Sequence, residues 1–277
     1  MPHRRLISFA LLAVLALPLG ACATSEEKAA TKAAKEAAEQ VPVEELYNKA
    51  AAALDDSSFY EAAKLFDEVD TQYPYSQWAT RAQLMSGYAH YRGLRYDEAV
   101  LALDRFIELH PGDTSIAYAH YLRALCYYEQ ITDVRRDQRM TALALENLRR
   151  VADRFPESKY ARDALLKIDL TQDHLAGKEM EIGRYYLVRK QYQAAINRFQ
   201  KVTDNYQTTT HVPEALHRMT EAYLALGILP EAQKTAAILG YNYPESRWYK
   251  DTFKLMGGKL DTQPHESLYD KTVGRIF

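Results

Sequence analysis

The chain has almost nothing with which to staple itself. It carries two cysteines, Cys22 and Cys126, in 277 residues. Cys126 lies inside the apolar run Ala124-Leu125-Cys126-Tyr127-Tyr128, where a small buried core residue is the expected role. A disulfide framework is therefore excluded. Glycine (11) and proline (10) are scarce, which argues against a loop-rich or β-rich fold. Net charge is only −2, so no broad electrostatic grip on nucleic acid or on lipid headgroups is expected. No Gly-x-Ser-x-Gly, His-Glu-x-x-His or phosphate-binding glycine loop occurs, and the chain reads as a binding protein rather than an enzyme. His174, His211 and His217 have no carboxylate cluster at ligand spacing, so no metal or other cofactor is expected.

What is present begins at the N-terminus. His3, Arg4 and Arg5 precede an apolar run from Leu6 to Leu19. That run is short of the ~20 residues a membrane-spanning helix needs, and it has the layout of a secretory signal. Leu19-Gly20-Ala21-Cys22 then resembles the lipobox of bacterial lipoproteins. The resemblance implies removal of residues 1–21, and a diacylglyceryl group and an N-acyl chain on Cys22. Such chains, at ~0.8 kcal/mol per buried methylene, hold a protein to a bilayer. Residues 22–42 are rich in Ala, Glu and Lys, have little to bury and read as a tether. Residues 43–256 carry the apolar pattern of a folded body, and 257–277 form a tail without an apolar face.

The folded body is written as a repeat. An alanine opens an apolar stripe at Ala62, Ala99, Ala144, Ala195 and Ala232, with apolar residues four and seven positions on. These are Phe66 and Val69, Leu103 and Phe106, Leu148 and Val151, Phe199 and Val202, Ala236 and Leu239. Twelve positions on stands proline (Pro74, Pro111, Pro156, Pro244), except at Gln207. Each is one amphipathic helix stopped by proline. A small residue twelve positions upstream (Ala50, Gly87, Gly183, Thr220) lets a preceding antiparallel helix approach. An aromatic or leucine three upstream (Phe59, Tyr96, Tyr192, Leu229) fills the turn. In the third unit Ala124 and Tyr127 take these parts.

This pattern resembles the tetratricopeptide repeat (TPR), a ~34-residue helix–turn–helix unit. The expected fold is all-α, a TPR-like solenoid of five repeats whose first helices line a concave face. Two departures stand out. Gln130 to Asp137 is a charged insertion, with Arg135, Arg136 and Arg139 near Asp133 and Asp137 and expected as solvated ion pairs. From Ser158 to Lys190 there is no proline, so the fourth unit is expected to open with one long helix.

Lipobox, tether and five repeats together resemble the BamD family, the lipoproteins of the outer-membrane β-barrel assembly machinery. The stretches that carry the likeness are Tyr73-Pro74, Asp104-Arg105-Phe106-Ile107 with His110-Pro111, Arg154-Phe155-Pro156-Glu157-Ser158, and Tyr185-Tyr186 leading to Asn197-Arg198. The resemblance implies a scaffold on the periplasmic face of the outer membrane. Its partners would be a BamA-like barrel protein through a POTRA domain, other lipoproteins of the machinery, and unfolded outer-membrane proteins. It also implies Arg198 as the contact to a BamA-like carboxylate, a role for which a guanidinium fork is suited. The repeat register places Tyr47, Leu54, Leu84, Tyr88, Tyr91, Arg92, Tyr121, Leu125 and Tyr128 on the concave face of the first three units. That is an aromatic groove with one cation, suited to an extended client segment ending in an aromatic residue and a carboxylate. A free-standing TPR lipoprotein that assists pilus, secretin or cell-wall assembly is the alternative.

Overall fold

A computed structural model describes residues 41–257. The signal segment, Cys22, all but the last two residues of the tether and all but the first residue of the tail lie outside the described residues. Eleven helices follow one another among the described residues. They are α1 (Val43–Asp55), α2 (Phe59–Gln72), α3 (Gln77–Arg92), α4 (Tyr96–Leu109), α5 (Ile116–Tyr128), α6 (Arg139–Arg154), α7 (Lys159–Val188), α8 (Tyr192–Asn205), α9 (Val212–Ala225), α10 (Leu229–Asn242) and α11 (Arg247–Leu255). The first ten pair as five hairpins in the TPR arrangement, each packing on the next.

Local chemistry accounts for the helix boundaries. Every second helix ends at an aromatic residue in the same non-helical conformation: Tyr73 (φ −131°), His110 (−127°), Phe155 (−129°), Tyr206 (−133°) and Tyr243 (−136°). A following proline drives its predecessor out of the α region at four of the five. Tyr206 precedes Gln207 and adopts the conformation anyway, because its ring packs into the core of the last two units. Serine then restarts the chain: the side chains of Ser76 and Ser246 accept the backbone N–H of Ala79 and Trp248, each at 3.1 Å. Within hairpins one, two, four and five the turn passes through a left-handed residue, Ser57, Leu94, Lys190 (each φ 59°) and Gly227 (φ 74°).

The five repeating alanines and their partners at +4 and +7 are all buried, nine of them among the largest fully buried side chains of the core. Opposite them the small upstream residues permit close contact. A Cβ built on Gly183 would meet the Phe199 ring at 2.4 Å, and Thr220 Oγ1 lies 2.9 Å from Thr235 Oγ1. Consecutive first helices (α1 with α3, α3 with α5, α5 with α7) pack on one another, whereas consecutive second helices do not. The stack therefore curves with its first helices inside.

Three features qualify the regular picture. The long helix is α7, 30 residues against 13 to 16 for the other first helices. The insertion is not a freely solvated charge cluster: Lys178 Nζ donates to the carbonyls of Arg135 (2.9 Å) and Arg136 (3.2 Å). Arg135 also faces Glu181 at 3.8 Å, so the segment is pinned to α7. An eleventh helix, which the repeat count did not include, closes the last hairpin. Thr252 of α11 is fully buried and its hydroxyl shares a hydrogen bond of 2.7 Å with His217 Nδ1, beside which Trp248 packs.

Candidate partner-binding surfaces

The inner layer carries the residues expected of the groove, and the structure divides them by exposure. Leu84 is buried beneath the surface, Leu54 is half-buried against the core of the first unit, and Leu125 is half-buried against the core between the second and third units. Tyr47 is a packing residue of the first two units, its ring centroid 4.7 Å from Trp78 and 5.3 Å from Phe66. The remaining residues form the surface proper. Tyr88 and Tyr91 of α3 stand beside α5, and Tyr121 stacks on Tyr160 of α7 at 5.1 Å. Tyr128 lies under the Lys167 ammonium at 5.4 Å.

Two members of this row were not expected. Tyr118 sits one turn before Tyr121, and its ring is 5.3 Å from that of Tyr160. Tyr160 belongs to the first turn of α7, beyond the three units to which the groove was assigned. Their signals in the sequence are the three-residue spacing Tyr118–Tyr121 and the position of Tyr160 just after Ser158.

Electrostatics make this a tyrosine surface with two exposed cations, Arg92 at the end of α3 and Lys159, whose ammonium lies 5.2 Å from the Tyr160 ring centroid. Burial, Glu129 and neighbouring tyrosines push the Tyr91 hydroxyl up to about 12. Burial raises Tyr118, and burial together with its hydrogen bond to Asp163 raises Tyr121. All three therefore keep their protons. Tyr121 donates to Asp163, which also pairs with Lys167 at 2.9 Å, so this acid is already neutralised. Arg92 Nη1 donates to the Tyr88 hydroxyl at 2.9 Å, and the guanidinium lies 5.1 Å from the Phe59 ring centroid. No carboxylate pairs with it among the described residues. Chemically, the row offers ring faces to aromatic and apolar groups, the Tyr121 hydroxyl is taken up by Asp163, and Arg92 offers a cation without a carboxylate partner among the described residues.

Arg198 lies elsewhere, on α8, a second helix. Its Nη1 donates to Glu179 Oε2 at 3.0 Å, and Lys201 approaches the other oxygen of that carboxylate at 3.6 Å. The side chain is one-third exposed. Half of the fork is thus held in place by Glu179, and the other half makes no hydrogen bond among the described residues. Nearby on the chain, Tyr186 packs into the core while Tyr185 is exposed beneath the Arg189 guanidinium at 3.6 Å. The structure does not bring Arg198 and Arg92 together, so they serve two separate surfaces.

His174, His211 and His217 do not converge either. His211 faces Asp173 at 3.5 Å, and His217 is occupied by Thr252. Burial pushes the Cys126 thiol up to about 12, which makes it unreactive.

Comparison with known proteins adds lineage to this geometry. The sequence profile of a family described as an outer membrane lipoprotein family, YfiO, matches residues 39–239. The chain is 53% identical to the outer membrane protein assembly factor BamD of Caulobacter vibrioides over 218 residues, 79% of this chain and 72% of that one. It is 46% identical to the BamD of Rickettsia prowazekii over 245 residues, 88% of this chain and 94% of the other. With the BamD of Neisseria meningitidis it shares 34% identity over 250 residues, covering 87% and 92%. Among solved structures, the TPR2AB domain of yeast Sti1 in a pHSP90 complex covers 78% of this chain and 84% of its own, at 11% identity and a TM-score of 0.40.

Proposed function

The chain belongs to the BamD family of outer-membrane lipoproteins and has a role in outer-membrane protein assembly; on that premise we propose that it is the periplasmic scaffold of a β-barrel assembly machine. In this reading Cys22 carries the diacylglyceryl and N-acyl anchor, and the solenoid stands on the periplasmic face of the outer membrane. Arg198, held by Glu179, offers its free edge to a carboxylate on a POTRA domain of a BamA-like protein. The tyrosine row receives client segments, with Arg92 meeting their terminal carboxylate. Further lipoproteins of the machinery complete the set of partners. No part of the scheme requires a cofactor or a catalytic step.

The observation that supports the reading is the exposed, carboxylate-free Arg92 at the end of a row of tyrosines of which Tyr91, Tyr118 and Tyr121 keep their protons. An extended peptide ending in an aromatic residue and a carboxylate matches both parts of that surface. The partner assignment is tested by purifying the tagged mature protein in mild detergent, wild type beside Arg198→Gln and Arg198→Glu, with partners identified by mass. Recovery of a BamA-like barrel protein by wild type, reduced in both variants, supports the scheme. Equal recovery by all three discards Arg198. Recovery of pilus, secretin or cell-wall assembly proteins with no barrel protein replaces the scheme with a free-standing scaffold.

A further inference from the structure

Coverage changes abruptly along α7. In a helix that turns ~100° per residue, Leu165 and Gly183 share one azimuth, as do Leu166 and Arg184, at a separation of ~27 Å. Leu170 lies near the azimuth of Gly177, two turns on. In the C-terminal half this arc is closed. Gly183 abuts Phe199 of α8, Met180 belongs to the core shared with α8 and α9, and Arg184 Nη1 donates to Glu214 of α9 at 3.0 Å. The cover ends where the α8–α9 loop meets α7. There Thr208 donates to Gln172 at 3.4 Å, and the Thr210 backbone N–H and hydroxyl donate to Asp173 at 3.1 and 2.8 Å. N-terminal to that point the same arc is bare, and Leu165, Leu166 and Leu170 are 54%, 60% and 61% exposed.

The repeat explains the gap. A regular unit covers its first helix with a second helix of similar length, but α7 has 30 residues and α8 has 14. One helix position is vacant. The vacancy has a charged edge: α6 runs back alongside this half of α7, and a cleft of about 680 Å³ opens there, lined by Leu145, Leu175, Tyr206, Arg149, Arg150 and Arg154 among others. Arg150 pairs with Glu146 at 2.9 Å. Arg149, Arg154 and, on α7, Arg162 are exposed and carry no ion pair among the described residues. Asp153 and Glu146 stand among the α6 arginines and leave that rim net positive, whereas Arg162 and Asp169 fall within the leucine arc of α7 itself.

We propose that this vacancy docks an amphipathic helix of a partner protein. Its apolar stripe covers Leu165, Leu166 and Leu170, and acidic residues along its edge meet Arg149 and Arg154. The occupant is a helix because it continues, on the same azimuth, the cover that α8 and α9 give the rest of α7. The three leucines belong to neither the Arg92 nor the Arg198 surface, although the cleft at their edge reaches Tyr206, which lies near both Arg149 and Glu179, the partner of Arg198.

The test uses the full mature chain and two synthetic stapled helices with the same leucine stripe, one flanked by glutamates and the other by lysines. Fluorescence anisotropy should show the glutamate helix binding at least ~10-fold more tightly than its twin, a difference of ~1.4 kcal/mol. The double variant Leu166→Asp, Leu170→Asp should remove binding, and Arg149→Glu with Arg154→Glu should reverse the preference. Failure of both helices to bind, equal binding of the two, or indifference to the leucine changes overturns the proposal. In cells, a benzoylphenylalanine at position 166 should crosslink to an acid-flanked amphipathic segment of another protein. Crosslinks only to residues 257–277 of the same chain or to a second copy, or no crosslink, overturn it too.

Discussion

A methyl group on Gly183 would stand 2.4 Å from Cε1 of Phe199 and 2.8 Å from two more atoms of the same ring, which is fully buried between α7 and α8. Two effects oppose each other in Gly183→Ala. Helix propensity favours alanine by ~1 kcal/mol, whereas overpacking a closed core costs ~1–3 kcal/mol. Phe199 has no open side to which it can retreat, so packing wins. Gly183→Ala is expected to lower the urea midpoint at unchanged slope, with a net loss of up to ~2 kcal/mol. At Gly112 nothing lies within 4 Å of an added Cβ, and Gly112→Ala should stay within ~0.5 kcal/mol of wild type. Equal behaviour of the two variants would remove close helix approach as the reason for the small residue.

The α7–α8 turn gives a prediction of opposite sign. Lys190 is exposed and sits at φ 59°, where a side chain costs ~1–2 kcal/mol. The hairpin of the last repeat makes the same turn with Gly227. Glycine loses more conformational freedom on folding, ~0.5–1 kcal/mol, so the balance in Lys190→Gly is a gain of up to ~1 kcal/mol. Thermal unfolding followed by circular dichroism should show a higher midpoint for Lys190→Gly and a lower one for Gly227→Ala.

The same turns show what in this fold was legible. The second helices were, because a buried alanine, apolar residues at +4 and +7 and a stop at +12 repeat within fourteen residues of local sequence. The cap α11 was missed although its start is written: Pro-Glu-Ser at 156–158 opens α7, and Pro-Glu-Ser at 244–246 opens α11. Its nine residues are too few to show a period, and its burial depends on His217, thirty-five positions away. Separation in sequence, here nineteen positions, hid the partner of Arg198 as well: Glu179 lies on the facing helix across the α7–α8 turn. It also hid the anchoring of the insertion by Lys178, which bonds to main-chain carbonyls and therefore leaves no mark in residue type. On the tyrosine row, register placed the residues on first helices of the stack, which is where the structure has them. It failed to separate Leu84, which is buried, from Tyr88, which reaches the surface, because both lie on the arc that turns from core to face.

Acid should loosen the middle of the stack through His120. This ring is 3% exposed, packs 5.2 Å from Phe155, and has no hydrogen-bond partner on either nitrogen. Burial, then the cations Arg123, Arg154 and Arg150, press its pKa down from 6.5 to about 4, and Asp104 offsets this only in part. With the folded value depressed, the unfolded chain binds the proton first as pH falls. Stability is therefore intact above ~6.5 and is lost progressively down to about 4, by an amount of order 3 kcal/mol for this group. His120→Phe has no proton to bind and keeps the aromatic contact. Its urea midpoint should fall less than that of wild type between pH 7 and pH 4.5. Parallel declines would assign the acid sensitivity to other groups, among them His217, whose pKa burial also lowers.

Arg92 allows the client reading to be tested apart from any partner. Its guanidinium is positioned by the Tyr88 hydroxyl and lies over the Phe59 ring, so its direction is set before a ligand arrives. A hydrogen bond to a charged group is worth ~1.5–3 kcal/mol, about 10- to 150-fold in affinity. The probe is a peptide copying the last strand of an outer-membrane barrel, ending in phenylalanine with a free carboxylate, beside the same peptide amidated. Wild type should prefer the free acid by at least ~10-fold. Arg92→Gln should bind both forms alike, at the affinity wild type shows for the amide. Tyr121→Phe removes only the hydroxyl that bonds Asp163, so the preference for the free acid should survive it, as should most of the affinity. If Arg92→Gln retains the preference, the carboxylate is read by another cation and the peptide does not end at α3. If neither peptide binds wild type, the tyrosine row is packing between repeats and nothing more.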